Sequence, residues 1–252
     1  MRVLHVVRQF SPSIGGFEDV VLNLCRELRA AHGIDARVLT LDRVFAGSGG
    51  RLAETETVEG IPVRRIPYFG SRRYPLAPAV FRHLGEADLL HVHCIDFFFD
   101  ALAATHWLHR KPMVASTHGG FFHTRFAAPV KQAYFHTVTR LSSRAYARIC
   151  ATSQNDRQMF GRIARDRTTL MENGVDVLKW RNAAAPAPVP VLISIGRFST
   201  NKRIPCLFPV LRALREFDPA WRLIVVGREY DQRIAELEDR AEAEMVRDSV
   251  KF

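Results

Sequence analysis

Two cations stand five positions apart in Gly196-Arg197-Phe198-Ser199-Thr200-Asn201-Lys202, directly after the apolar run 191–195 and before a stretch of helical period. That places Arg197 and Lys202 at the carboxyl edge of a strand, where open α/β sheets bind ligands, and two positive charges aimed at one loop suit a diphosphate. A second loop, Ser11-Pro12-Ser13-Ile14-Gly15-Gly16, joins the apolar run 2–7 to a helix that carries Glu18 in its first turn. Gly15 and Gly16 let a phosphate or sugar approach the backbone, and free amides at a helix N-terminus favour an anion. The same two glycines also read as a plain tight turn. No G-x-G-x-x-G and no G-x-x-x-x-G-K-[ST] occurs, so neither a dinucleotide oxidoreductase nor a P-loop NTPase is supported.

Histidines form a third group. His91 and His93 alternate onto one face of a strand, a spacing that could hold a metal. No nearby cysteine or carboxylate pair completes such a site and no D-x-D occurs, so no metal is expected. His118 follows the run 113–117, at the mouth of the sheet, and precedes Gly119-Gly120, with His123 close behind. It reads as a residue that contacts substrate. The four cysteines, Cys25, Cys94, Cys150 and Cys206, lie far apart in apolar segments without a C-x-x-C pair and read as reduced core residues.

Repeated βα units must position these residues. Short β-branched runs at 2–7, 36–41, 61–66, 88–93, 112–117, 148–152 and 168–172 alternate with helical-period segments, the sequence form of a doubly wound parallel sheet. In the first such segment Phe17, Val20, Val21, Leu24 and Leu28 share one helix face. The alternation breaks at Ala183-Ala184-Ala185-Pro186-Ala187-Pro188-Val189-Pro190. Proline-alanine composition of this kind suits a surface linker. The expected organisation is therefore a Rossmann-like domain over 1–175, a linker over 176–190, and a second α/β unit over 191–252. Strands at 191–195 and 221–226, a helix over about 204–217 and a charged helix from about 232 almost to the end make up that unit. Two strands fall short of the five or six of a doubly wound nucleotide-binding fold, so the second domain is expected to be only partly present.

A net charge of +10 and a pI near 10.0 point to an anionic partner. Basic and aromatic residues cluster at Arg64, Arg65, Arg72, Arg73 and Tyr74, and again at Arg125, Phe126, Lys131, Tyr134 and Phe135. Arg140, Arg144 and Arg148 recur every fourth residue, as a stripe down a helix face. A solvated face and adhesion to anionic lipid headgroups both fit these residues. Nucleic acid is not expected as a partner, because no nucleic-acid module is present. No run approaches the ~20 apolar residues of a membrane span, and the N-terminus reads as a strand, not a signal peptide. The expected location is cytoplasmic, on the inner face of the membrane.

With these residues in place the chain resembles the retaining glycosyltransferases of family 4, which have the two-domain GT-B fold. The resemblance rests on Gly15-Gly16-x-Glu18, Ser116-Thr117-His118-Gly119, Glu172-Asn173-Gly174-Val175-Asp176, and Gly196-Arg197 followed by Lys202. Further blocks look similar to mannosyltransferases that extend a polyprenyl-diphosphate-linked cellobiose in xanthan or acetan exopolysaccharide assembly. These are Val6-Val7-Arg8-Gln9-Phe10, Leu41-Asp42-Arg43-Val44-Phe45, Ile95-Asp96-Phe97-Phe98, Thr117-His118-Gly119-Gly120-Phe121-Phe122-His123-Thr124 and Gly227-Arg228-Glu229-Tyr230-Asp231.

The resemblance implies GDP-mannose as donor, a polyprenyl-diphosphate-linked disaccharide as acceptor, retention of configuration and no cofactor. It gives Arg197 and Lys202, with Gly15 and Gly16, to the donor diphosphate, and His118 to the donor sugar as the catalytic residue. Glu18, His93 and Gly119 fall on the acceptor or sugar side. By the resemblance, the family's acidic E-x7-E motif, which contacts the donor sugar and ribose, is expected beyond residue 252. The chain alone is therefore expected not to turn over, and a non-catalytic membrane- or sugar-binding module derived from such an enzyme is the alternative.

Overall fold

The computed structural model describes residues 1–45, 50–72, 74–119, 128–184 and 186–252. Arg73, Gly120, Phe121, Phe122, His123, Thr124, Arg125, Phe126 and Ala185, named above, lie outside the described residues. The chain divides into two compact units, Met1–Lys179 and Trp180–Phe252.

In the first unit, strand β1 is Arg2–Val6, helix α1 is Gly16–Ala30, and β2 is Asp35–Leu41; β3 (Thr55–Val58) and β4 (Ile61–Ile66) follow as a hairpin. A small second hairpin, β5 (Phe69–Ser71) with β6 (Tyr74–Leu76), precedes β7 (Leu89–His93). Helices α2 (Phe97–Ala104) and α3 (His106–His109) lead to β8 (Met113–Ser116). Helices α4 (Ala128–Tyr134) and α5 (Arg140–Ser142) are joined by a π-helical turn, Phe135–Thr139, and β9 (Arg148–Ala151), α6 (Gln154–Ala164) and β10 (Thr168–Leu170) complete the unit. The eight strands run in the order β10-β9-β8-β7-β1-β2-β4-β3, all parallel except the edge strand β3.

This is a doubly wound sheet, because apolar residues cover both faces. Val7, Phe10, Val38, Ile61 and Val63 pack with Val21 and Cys25 of α1 on one side. Val6, Leu39, Leu90 and Val92 pack with Phe98, Phe99 and Phe160 on the other. Strands so enclosed read as near-continuous apolar runs, which is why each expected strand of this unit is found. The strand order reverses between the parallel neighbours β1 and β7, so their carboxyl ends frame the crevice where open α/β folds bind ligands.

Three expectations about single side chains need correction. Arg148 opens β9, so it does not continue a helical stripe with Arg140 and Arg144. The helix stops because Tyr146 is extended (φ −92°, ψ 129°), stacks on Phe99 at 4.4 Å and donates its phenol hydrogen to the Phe99 carbonyl at 2.8 Å. Arg65 is fully buried, paired with Glu56, and cannot join a lipid-facing cluster. Cys206 is exposed, whereas Cys25 and Cys150 are buried; all four cysteines are free thiols.

The second unit holds β11 (Val191–Ile195), α7 (Leu207–Phe217), β12 (Arg222–Val226), α8 (Ile234–Ala243) and β13 (Val250–Lys251), with the sheet in the order β11-β12-β13. The terminal helix expected to run almost to the end stops at Ala243. Met245 takes a left-handed conformation (φ 58°) there, and Val250 then pairs with Leu223 as a third parallel strand. Phe208 and Leu211 of α7 and Leu237 and Ala241 of α8 pack with Leu223, Val225 and Val250. Ile193, Ile195 and Val226, which alternate onto the other face, stay exposed.

Candidate functional site

At the β1/β7 crevice the register places His5 beside His91, and His93 two residues on shares their face. The rings form a row: His91 and His93 are stacked at 4.1 Å between centroids, His5 and His93 at 5.3 Å, and His93 and His118 at 5.3 Å. Hydrogen-bond distances of 3.0 Å separate His5 Nδ1 from His93 Nε2 and His93 Nδ1 from His118 Nε2. Phe17, in the first turn of α1, closes over the end of the row with its ring 5.1 Å from that of His118. Burial disfavours the charged imidazolium. It holds His5 and His118 at about 4 and His91 and His93 well below the ordinary value, with Asp156 partly opposing the effect at His118.

His118 sits in a strained turn: it has φ 45° and Gly119 φ 82°, both in the left-handed region. For a non-glycine residue that conformation persists only when neighbours hold it. Asp156 holds it here. One carboxylate oxygen accepts from the Gly119 amide at 2.8 Å, from the Thr152 hydroxyl at 3.2 Å and, by a short bond, from the Thr117 hydroxyl. Asp156 is itself placed by the start of α6, where Ser153 caps the helix and accepts the Asp156 amide hydrogen at 3.1 Å. The sequence reading passed over Asp156. Its signal was Ser153, an N-cap residue type, followed three positions on by an acid in the first turn of a helix after a strand.

Gly15 and Gly16 stand at the start of α1. Glu18 folds back along that turn and accepts from the Ser13 hydroxyl at 2.7 Å. A Cβ at Gly15 would collide with Glu18 Oε2, while a Cβ at Gly16 would meet open space. Gly15 thus makes room for the carboxylate, and Gly16 leaves the helix end approachable from outside. Beneath the loop, buried Arg65 donates to the Ser11 carbonyl at 2.7 Å, so a fixed cation props the segment from below. Glu172 through Asp176 follow β10 on the surface, where Asp176 accepts the amide hydrogens of Leu178 and Lys179.

Arg197 and Lys202 belong to the second unit. Gly196 has φ 152°, and the aliphatic chain of Lys202 lies over it, its Cε 3.5 Å from where a Cβ would stand. The Arg197 guanidinium lies 4.5 Å above the Tyr230 ring, a cation–π contact. Neither has a carboxylate within ion-pairing distance among the described residues. The two cations therefore come off one strand end with their charge uncompensated. His93, His118, Gly119, Gly15, Gly16 and Glu18 gather in the first unit; Arg197 and Lys202 gather in the second.

The family model described as Glycosyltransferase Family 4 matches residues 14–178. A GDP-mannose:cellobiosyl-diphosphopolyprenol alpha-mannosyltransferase of Xanthomonas oryzae pv. oryzae is 49% identical over the whole chain, which covers 67% of that protein. A protein of the same description from Komagataeibacter xylinus is 47% identical over the whole chain, which covers 64% of it. Among solved structures, the catalytic domain of starch synthase IV from Arabidopsis thaliana superposes with a TM-score of 0.60 at 12% identity, over 99% of this chain and 73% of that one. TarM of S. aureus gives 0.62 at 10% identity, over 99% and 76%. Likeness at so low an identity shows the fold, which is GT-B. The chain belongs to Glycosyltransferase Family 4. It spans about two thirds of the length of the curated relatives it matches.

Proposed function

We propose that this chain is the part of a retaining mannosyltransferase that spans the acceptor-side domain, read as 1–175, and the start of the donor-side domain, read as 191–252. The donor is GDP-mannose and the acceptor a polyprenyl-diphosphate-linked cellobiose, as in exopolysaccharide assembly. Identity of 47% to 49% along the whole chain to enzymes of that description carries this reading. Arg197 and Lys202 neutralise the departing diphosphate, where charge develops as the glycosidic bond breaks. Gly16 gives the donor room at the helix end, with Gly15 and Glu18 shaping the turn. His118, as the catalytic residue, and the Gly119 backbone hold the sugar, and His93 stands behind them. The work is positioning and charge stabilisation, and no carboxylate is assigned as a nucleophile.

A donor panel tests this. Purified protein, at this length and at the length of its relatives, is offered GDP-mannose and UDP-sugars with a short-chain polyprenyl-diphospho-cellobiose. Mannosyl transfer from GDP-mannose with an α-linked product supports the reading; preference for a UDP-sugar overturns it.

The same reading places the protein on the cytoplasmic surface of an anionic membrane, where a lipid-linked acceptor resides. No helix among the described residues is long and apolar enough to cross a membrane. Arg140, Leu141 and Arg144 are exposed, as are Val130 and Val138 of the preceding turns, so apolar and basic side chains share that surface. Such a mixture favours peripheral adhesion to anionic headgroups.

A further inference from the structure

His5, His93 and His118 are linked nose to tail, and the link ends at the crevice. Each contact, His5 Nδ1 to His93 Nε2 and His93 Nδ1 to His118 Nε2, is 3.0 Å long. Two neutral imidazoles facing each other share one proton, so in each pair one ring donates and the other accepts. All three rings are neutral near pH 7, because burial holds their pKa values far below it.

Two directions remain. In the first, every ring carries its proton on Nδ1 and donates toward the crevice, and only the Nε2 lone pair of His5 goes unused. In the second, every ring carries its proton on Nε2, and His5 buries an N–H. His5 Nε2 is sealed from solvent and has no hydrogen-bond partner among the described residues. Buried orphan N–H donors are rarer in folded proteins than under-used acceptors, so the first direction is favoured.

We propose that His5 and His93 are positioning residues that hold His118 in its Nδ1–H tautomer, so that this ring offers the bound ligand a donor and has no lone pair free. The partner it suits is an oxygen acceptor, either a sugar hydroxyl or a phosphate oxygen. A general-base role for His118 is excluded by the same arrangement, since its only lone pair, on Nε2, already accepts from His93. This rests on the reading of His118 as a ligand contact given above.

A metal would be the competing use of these rings, since His5, His91 and His93 each offer a nitrogen within 4.8 Å of the others. Ligands to one ion must aim their lone pairs at a common point. His91 and His93 instead lie stacked with 24° between ring planes, and His91 Nε2 is engaged with the Ser116 hydroxyl at 2.8 Å.

Long-range proton–nitrogen correlation spectra of the 252-residue chain with isotope-labelled histidine rings read each tautomer directly, without donor or turnover, and His118→Ala assigns the signal. The expected result is protonated Nδ1 and bare Nε2 on His5, His93 and His118. His93→Phe removes the donor and should release His118 into a mixture of both tautomers. His93→Asn, whose amide N–H stands where Nδ1 was, should restore the Nδ1–H form. If His93→Phe does not fold, the wild-type and His93→Asn spectra decide between them. Protonation of His118 on Nε2, or a His118 signal indifferent to His93→Phe, overturns the proposal. So does stoichiometric Zn²⁺ that shifts the His5, His91 and His93 signals together. If the tautomers are as expected and saturating GDP-mannose or acceptor leaves the His118 signal unmoved in protein of the relatives' length, the ligand reading fails and the positioning of His118 stands.

Discussion

Asp156 accepts the Gly119 amide hydrogen at 2.8 Å, and through that one bond the start of α6 is tied to the turn that presents His118. The same oxygen serves Thr117 and Thr152, so three donors depend on one buried carboxylate. Asp156→Ala leaves them without an acceptor, which is expected to cost about 2–4 kcal/mol, since a bond to a charged group is lost and buried donors are orphaned. Denaturant titration checks this, and an unchanged midpoint would show that the left-handed turn is held by other contacts.

Acid sensitivity follows from the histidine row. His5 and His118 titrate at about 4 in the fold against an ordinary 6.5, and burial holds His91 and His93 well below 6.5 too. Above pH 6.5 both folded and unfolded chains hold these rings neutral. Between about 6.5 and 4 only the unfolded chain takes up protons, so stability is lost as pH falls, by about 1.4 kcal/mol per pH unit for each such ring. Asp96 works the other way. Burial raises its carboxyl to about 6, so between about 6 and 3.8 the fold gains protons ahead of the unfolded chain and offsets roughly one histidine. Denaturation midpoints should therefore drop from pH 7 to pH 5, and His5→Phe should flatten that slope by about one proton. A slope unchanged by the substitution would count against the row as its cause.

In an active preparation, Arg197→Ala and Lys202→Ala are each expected to lower turnover by about two to three powers of ten, as for loss of a group that stabilises developing charge. Both side chains are exposed, so thermal stability should change little by comparison. Near-normal turnover in both variants would remove them from the diphosphate site.

Gly227 stands against the Gly196 carbonyl, where a Cβ would overlap backbone oxygen and carbon. Backbone cannot swing aside as a side-chain tip can. Gly227→Ala is expected to destabilise the second unit by about 1–3 kcal/mol or more, whereas Gly16→Ala, facing open space, should be neutral for folding. Hydrogen exchange resolved by unit would test both; equal protection loss in the two units under Gly227→Ala would contradict the local clash.

Vesicle co-sedimentation should rise with anionic lipid and fall with salt. Replacing Arg140 and Arg144 together by Ala should weaken it roughly 30-fold, at about 1 kcal/mol per surface arginine. Equal binding to neutral vesicles would rule out the basic surface.

Much of this was legible locally. The strands of the first sheet show as apolar β-branched runs because parallel strands are enclosed on both faces, and the placement of His91 with His93 follows from two-residue alternation. The glycines and cations at strand ends could be read from type and spacing alone. Burial of a charge could not. Arg65 looks like its neighbour Arg64 in a basic stretch, yet it lies beneath the first loop while Arg64 pairs with Glu54 at the surface. The end of the chain was misread for a related reason. A charged helical period continues past Ala243, but Val250 gains a strand partner in Leu223, and pairing with a distant strand overrides local propensity.

Residue types and their order along the chain were enough for the family, the alternation of strands and helices, and the groups able to handle a diphosphate and a sugar. Which of those groups act together follows from the packing of distant segments. Strand order sets β1 beside β7, so that His5 reaches His93 across 88 positions of chain, and packing of α6 against β9 brings Asp156 under Gly119 from 37 positions away. Those contacts depend on which strands neighbour one another and in what register. A pairing of that kind is a property of the whole sheet, and no local window of residues contains it.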